Sequence, residues 1–109
     1  MQKVSIEALA RQQLERAAAG GRNAADTVVG GHERILRQTV VGMTAGSEMS
    51  EHENPGEATI YVLKGSVRLI AGDQQWDGRT GDLLLIPDSR HSLLALDDSA
   101  ILLTVAKRP

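Results

Sequence analysis

Two hydrophobic periodicities divide this chain. Ile6, Leu9, Ala10, Leu14, Ala17 and Ala18 recur at three- and four-residue spacing, which places them on one stripe of a helix over about residues 5–19. Ser5 is the expected N-cap, its hydroxyl accepting from a first-turn N–H. Glu7 and Arg11 stand one turn apart with the acid first, the better order for such a pair. Gly20 and Gly21 close the helix, because glycine accepts the left-handed conformation at a C-terminus. A helix this short is marginal alone in water, so its stripe is expected to dock on the rest of the molecule or on a second subunit.

A glycine-rich connection follows over about residues 20–34, with Thr27-Val28-Val29 as an edge-strand candidate. From residue 35 the pattern shortens to that of β-strands. Ile35–Met43, Ala58–Leu63, Val67–Ala71, Asp82–Ile86, Ser92–Leu96 and Ala100–Ala106 are rich in Val, Ile, Leu and Thr. Turn material such as Asn54-Pro55-Gly56, Lys64-Gly65-Ser66, Gly72-Asp73 and Asp97-Asp98-Ser99 separates them, a spacing that predicts a sandwich or barrel over about 35–106. Connections this short cannot hold βαβ crossovers, so the sheets are expected to be antiparallel. Leu83-Leu84-Leu85-Ile86 does not alternate and therefore predicts a strand covered on both faces. One face fills the interior; the other must meet the helix or another subunit, which favours a homodimer.

Composition narrows the function classes. At 109 residues and 41% hydrophobic, the chain is expected to form a single domain, 1–109, that buries roughly two-thirds of its unfolded surface. The net charge of −2, scattered Lys and Arg, and a single Trp and Tyr argue against nucleic acid as a partner. With no cysteine, disulfides and thiolate chemistry are excluded. No apolar run approaches the ~20 residues that span a bilayer, and no signal-type segment opens the chain, so no membrane partner and a cytoplasmic location are expected.

Gly46 is followed after five residues by His52-Glu53-Asn54-Pro55 and then by Tyr61-Val62-Leu63-Lys64-Gly65. Further on, Gly81-Asp82-Leu83-Leu84-Leu85-Ile86-Pro87 leads to His91. This order resembles the two motifs of the cupin superfamily over roughly residues 35–106. The resemblance implies a mainly β protein: a double-stranded β-helix, or RmlC-like jelly-roll barrel, here with an N-terminal α-helix, and often dimeric. It also implies one divalent transition metal, held inside the barrel by motif histidines and a glutamate. Imidazoles plus a carboxylate with open positions suit the ions of oxygenases and isomerases.

The chain keeps part of that set. His52 and His91 stand at family histidine positions, Asn54 replaces the second histidine, and Ala58 occupies the glutamate position. The Pro87-to-His91 segment is one residue short and lacks its glycine. Glu57, beside the vacant position, is a candidate substitute metal ligand if the Pro55-Gly56 loop shifts, Glu53 and Glu48 are further candidates, and Asn54 offers a weak amide oxygen. Residues 52 and 54, two apart on a strand, would both face the interior, with His91 closing the site from the facing sheet. Three readings follow. The first is a small-molecule binding or sensing protein whose pocket includes His52, Asn54, Ile60, Val62 and His91. The second is a metal-dependent enzyme of dioxygenase or isomerase type built on His52 and His91, with no general base in evidence. The third is a structural or accessory dimer with a filled barrel. The missing ligands weigh against the enzyme, and two retained imidazoles weigh against a filled core, which favours aliphatics. His32, Asp82, Tyr61 and Trp76 read as loop, turn and packing residues.

Overall fold

The computed structural model describes residues 1–52 and 56–107, with backbone alone at 51 and 52. Helix α1 spans Ile6–Arg16 and is capped as expected, the Ala8 N–H donating to Ser5 Oγ at 3.2 Å. A wider turn, Ala17–Gly21, unwinds it, and Gly20 at φ 131° ends it. The exposed Glu7–Arg11 pair, 3.5 Å apart, contributes little.

Nine strands follow among the described residues: β1 Asn23–Val29, β2 Leu36–Met43, β3 Glu48–His52, β4 Gly56–Lys64, β5 Ser66–Ala71, β6 Gln74–Arg79, β7 Leu83–Leu85, β8 His91–Ala95 and β9 Ser99–Lys107. They form two antiparallel sheets, one ordered β1-β2-β9-β4-β7 and the other β3-β8-β5-β6. The chain passes repeatedly from one sheet to the other, as a jelly roll requires. Three strands exceed the sequence reading. In β1 the expected Thr27–Val29 edge begins four residues earlier, through alanines that carry little β signal. Neither β3 nor β6 is visible in the pattern, because each is an edge strand with mostly polar residues.

Alternation along the strands builds the core. Val41, Met43, Ile60, Val62, Val67, Leu69, Leu93, Ala95 and Ile101 point between the sheets and are buried. The outer face of the five-stranded sheet is covered only in part. Ile6, Leu9, Ala10 and Leu14 of α1 pack on Val40, Ala100, Leu102 and Leu63. Gln13, outside the expected stripe, is buried where the helix backbone comes down on Gly42, and Ala18 is exposed. The expectation that β7 is covered on both faces is not met: it is an edge strand, with Leu84 buried but Leu83 and Leu85 exposed. The helix lies over β2 and β9, too far across the sheet to serve.

The turns are tied to one another by polar contacts. Ser99, fully buried, accepts from Ser66 N at 3.1 Å through its hydroxyl, which also lies 2.8 Å from Asp97 O and 3.0 Å from Ser66 O. Asp82 accepts from Arg79 N at 2.8 Å and so supports its turn. On the outer face of the smaller sheet, Arg68 stands opposite Asp77 and donates to both carboxylate oxygens, at 2.8 and 3.1 Å. These hydrogen bonds hold the Asp77 carboxyl below its ordinary value. A depressed folded-state pKa means a contribution that is present above the unfolded value and lost as pH falls through the folded one. A carboxyl-carbon NMR titration is expected to place Asp77 below an unfolded aspartate, and Arg68→Gln or molar salt to return it. An unmoved midpoint in Arg68→Gln would refute the pairing.

Candidate functional site

His91 opens β8 and is only 3% exposed, although its neighbours are aliphatic. Its Nδ1 lies 2.9 Å from the Ser89 carbonyl oxygen. A carbonyl can only accept, so the imidazole donates its Nδ1–H to Ser89 O. Around the imidazole, Met49, Ile60, Ile86, Leu93, Ile101 and Leu103 line a partly open space of about 20 Å³. One water needs roughly 10–15 Å³ by this measure, whereas pockets for organic ligands begin near ~300 Å³. The described interior is therefore a packed core with room for one water-sized group beside a histidine.

The structure brings together part of the expected constellation. In the backbone register His52 stands opposite His91. The two strands are neighbours in one sheet, so the expected closure of the site from the facing sheet is corrected to a cross-strand pair. The pairing depends on an irregularity in β3: Met49 opposes Leu93 and His52 opposes His91, so three steps on one strand match two on the other. Without that extra residue, position 51 would take the place of 52. Ile60 lines the space beside His91, whereas Val62 lies two residues further along the same buried face, away from it. Ala58 points inward and offers no donor. Glu57, one residue earlier, is exposed and opposes Ala106 on the outer side of the sheet, so a regular β4 turns it away from the interior. Asn54 lies outside the described residues.

These placements bear on the implied metal. Among the described residues no three His, Asp or Glu side chains gather to hold an ion. The inner face supplies the single described imidazole of His91, and the glutamate position is an alanine. A catalytic metal takes about three good protein ligands, and the side chains of His52 and Asn54, two of the expected donors, lie outside the described residues. Sequence reasoning missed the lining residues Met49, Ile86, Leu93, Ile101 and Leu103, and the Ser89 carbonyl. Only Leu93, two residues beyond His91 on one strand, carried a signal that could have found it.

Two facing antiparallel sheets, crossed by the chain at most connections, make this a jelly-roll barrel with the His91 imidazole buried among aliphatic side chains. The cupin domain family matches residues 39–105, and the chain belongs to it. Among solved structures, it is similar to a conserved protein of unknown function from Streptococcus pyogenes, at 24% identity, 83% of this chain, 78% of that one and a TM-score of 0.74. An RmlC-like cupin from Desulfovibrio desulfuricans is 26% identical over 79% of this chain and 83% of its own, with a TM-score of 0.69. The DMSP lyase DddQ from Ruegeria pomeroyi is 23% identical over 78% of this chain and 47% of the lyase, with a TM-score of 0.68. No curated protein matches the sequence. These likenesses show a shared barrel, and a shared fold does not by itself fix a chemistry.

Proposed function

We propose that this cupin binds a small molecule without transforming it, with His91 as the point of polar recognition. The observation that supports this reading is a buried imidazole, fixed by a backbone carbonyl, in an otherwise aliphatic wall and opposite His52 in the register. The space beside the imidazole admits one small polar group such as a hydroxyl or an amide nitrogen. The apolar remainder of the ligand would contact the rim of the barrel.

The test is a fragment screen read by long-range ¹H–¹⁵N spectra of the imidazole nitrogens. Fragments bearing a hydroxyl or amide are expected to shift His91 Nε2 and to raise the melting temperature. A ligand at a hundred times its dissociation constant adds about 2.7 kcal/mol, and His91→Leu should abolish that gain while keeping the fold. Binding that leaves the His91 resonances unmoved would refute the site. The same preparation, made without a histidine tag, tests the enzyme alternative: one equivalent of transition metal, lost in both His52→Ala and His91→Ala, would replace binding by metal-assisted chemistry. The small interior also supports a filled-core accessory protein. In that case no fragment shifts His91, and His91→Leu raises stability outright.

A further inference from the structure

The inner face of the larger sheet carries a positive charge where aliphatic side chains are the rule. Along β2 the inward-facing positions run from buried Val41 through Thr39 to Arg37, which is half-buried. In the register Arg37 stands opposite Val105 and Val105 opposite Ala58, so the three form one row across β2, β9 and β4. Val105 is 2% exposed and Ala58 9%, which fixes the row on the side that faces the smaller sheet. The neighbouring row is Thr39, Leu103 and Ile60, and the last two line the space beside His91. Arg37 therefore lies one row from that space, on the side toward the strand ends where Gly56 opposes Lys107. Its stem passes Gly30, where a Cβ would lie 3.6 Å from Arg37 Cγ.

Resting on the reading of His91 as a point of polar recognition, we infer that the ligand is a small organic anion: a carboxylate that also carries a hydroxyl or an amide, with Arg37 taking the carboxylate. Among the described residues the Arg37 guanidinium has no ion pair or hydrogen bond, in contrast to Arg68, which is held by Asp77. A cation partly withdrawn from water is costly unless an acceptor meets it, and no described side chain supplies one. The charge around it has one sign. The strand acids with described side chains, Asp26, Glu48, Glu57 and Asp77, oppose Val40, Leu94, Ala106 and Arg68, all on outer faces. An inner face that holds a guanidinium and an imidazole, and no acid among the described residues, selects an anion. The planar fork of arginine matches the two oxygens of a carboxylate. The small space beside His91 takes only the hydroxyl or amide, so the carboxylate lies outside it, at the row of Arg37. Val105 and Ala58 supply an apolar floor for the carbon chain between the two polar groups.

The test sets hydroxy acids against their own amides: glycolate, lactate and mandelate against glycolamide, lactamide and mandelamide. The Arg37 Nε–Hε resonance and the ring nitrogens of His91 are followed by NMR. Each acid is expected to move both residues, and each amide to bind about 10- to 100-fold more weakly, as loss of a charged hydrogen bond gives. Arg37→Gln should remove the preference for the acid with an unchanged far-UV spectrum. Arg37→Lys, which keeps the charge without the fork, should retain part of it. Amides that bind as tightly as the acids and still move His91 overturn the anion assignment and leave His91 as a binding residue. Acids that move Arg37 while His91 stays silent uphold the anion site and refute the role given to His91. Silence of both residues toward every probe overturns both. The contrast of acid with amide uses the wild-type chain alone, so it decides the matter even where Arg37→Gln fails to fold.

Discussion

Gly42→Ala is expected to cost about 3 kcal/mol, the upper end of what overpacking takes from a well-packed core. A single methyl group has no room there. A Cβ on Gly42 would meet the backbone of Gln13 and Leu14 in α1, with Gln13 O at 2.5 Å and Leu14 N at 2.6 Å. Flexible side chains can yield, but these are peptide atoms inside a hydrogen-bonded helix. The helix must lift, and Ala10, Val40 and Ala100 then lose their shared burial. For a domain of this size the melting temperature should fall by roughly 10–20 °C, readable by calorimetry. A loss below about 1 kcal/mol would mean that α1 is not seated directly on β2.

The second large effect is expected at Gly65, in the turn between β4 and β5. Its φ of +91° already disfavours any side chain, at about 1–2 kcal/mol. A Cβ there would also meet Ser99 Oγ and lie 2.5 Å from Asp98 O and 2.9 Å from Ser99 Cα, atoms of the turn before β9. Gly65→Ala therefore combines strain with a clash, and about 3–4 kcal/mol is expected. Gly72 is the control: its φ is also positive, at +60°, but nothing lies within 4 Å of its Cβ position. Gly72→Ala should show the conformational penalty alone. Equal losses in the two variants, measured by urea unfolding, would refute the contact between the turns.

The fold was legible because its cues were local. The Ser5 cap, the double glycine after the helix and the runs of Val, Ile and Leu each reflect preferences expressed within a few residues. The edge strands β3 and β6 were not legible. An edge strand is fixed by pairing with a neighbour, and Gln74–Arg79 becomes β-structure because Ser66–Ala71 lies beside it. The all-apolar Leu83–Leu85 was misread for a related reason. Hydrophobicity at outward positions means cover by something, and sequence alone could not say that the helix would dock over β2 and β9 instead.

The candidate site was legible only by kind of residue. His52 and His91 were identified from motif spacing, and the register brings their backbones opposite each other. The irregularity in β3 that aligns them has no sequence signature, nor does the single-water dimension of the interior, which follows from how Met49, Ile60, Ile101 and Leu103 interlock. Glu57 illustrates the limit. Adjacent in sequence to a ligand position, it is on the opposite side of the sheet, because one residue along a strand reverses direction.

Strand β9 is the last of the nine to be synthesised, yet it lies at the centre of the larger sheet, between β2 and β4. Helix α1, which precedes all nine strands, packs partly against Ala100 and Leu102 of that same strand. During translation the seat of α1 is thus incomplete until residues 99–107 have emerged, whereas a local unit such as the β5–β6 hairpin has both its strands much sooner.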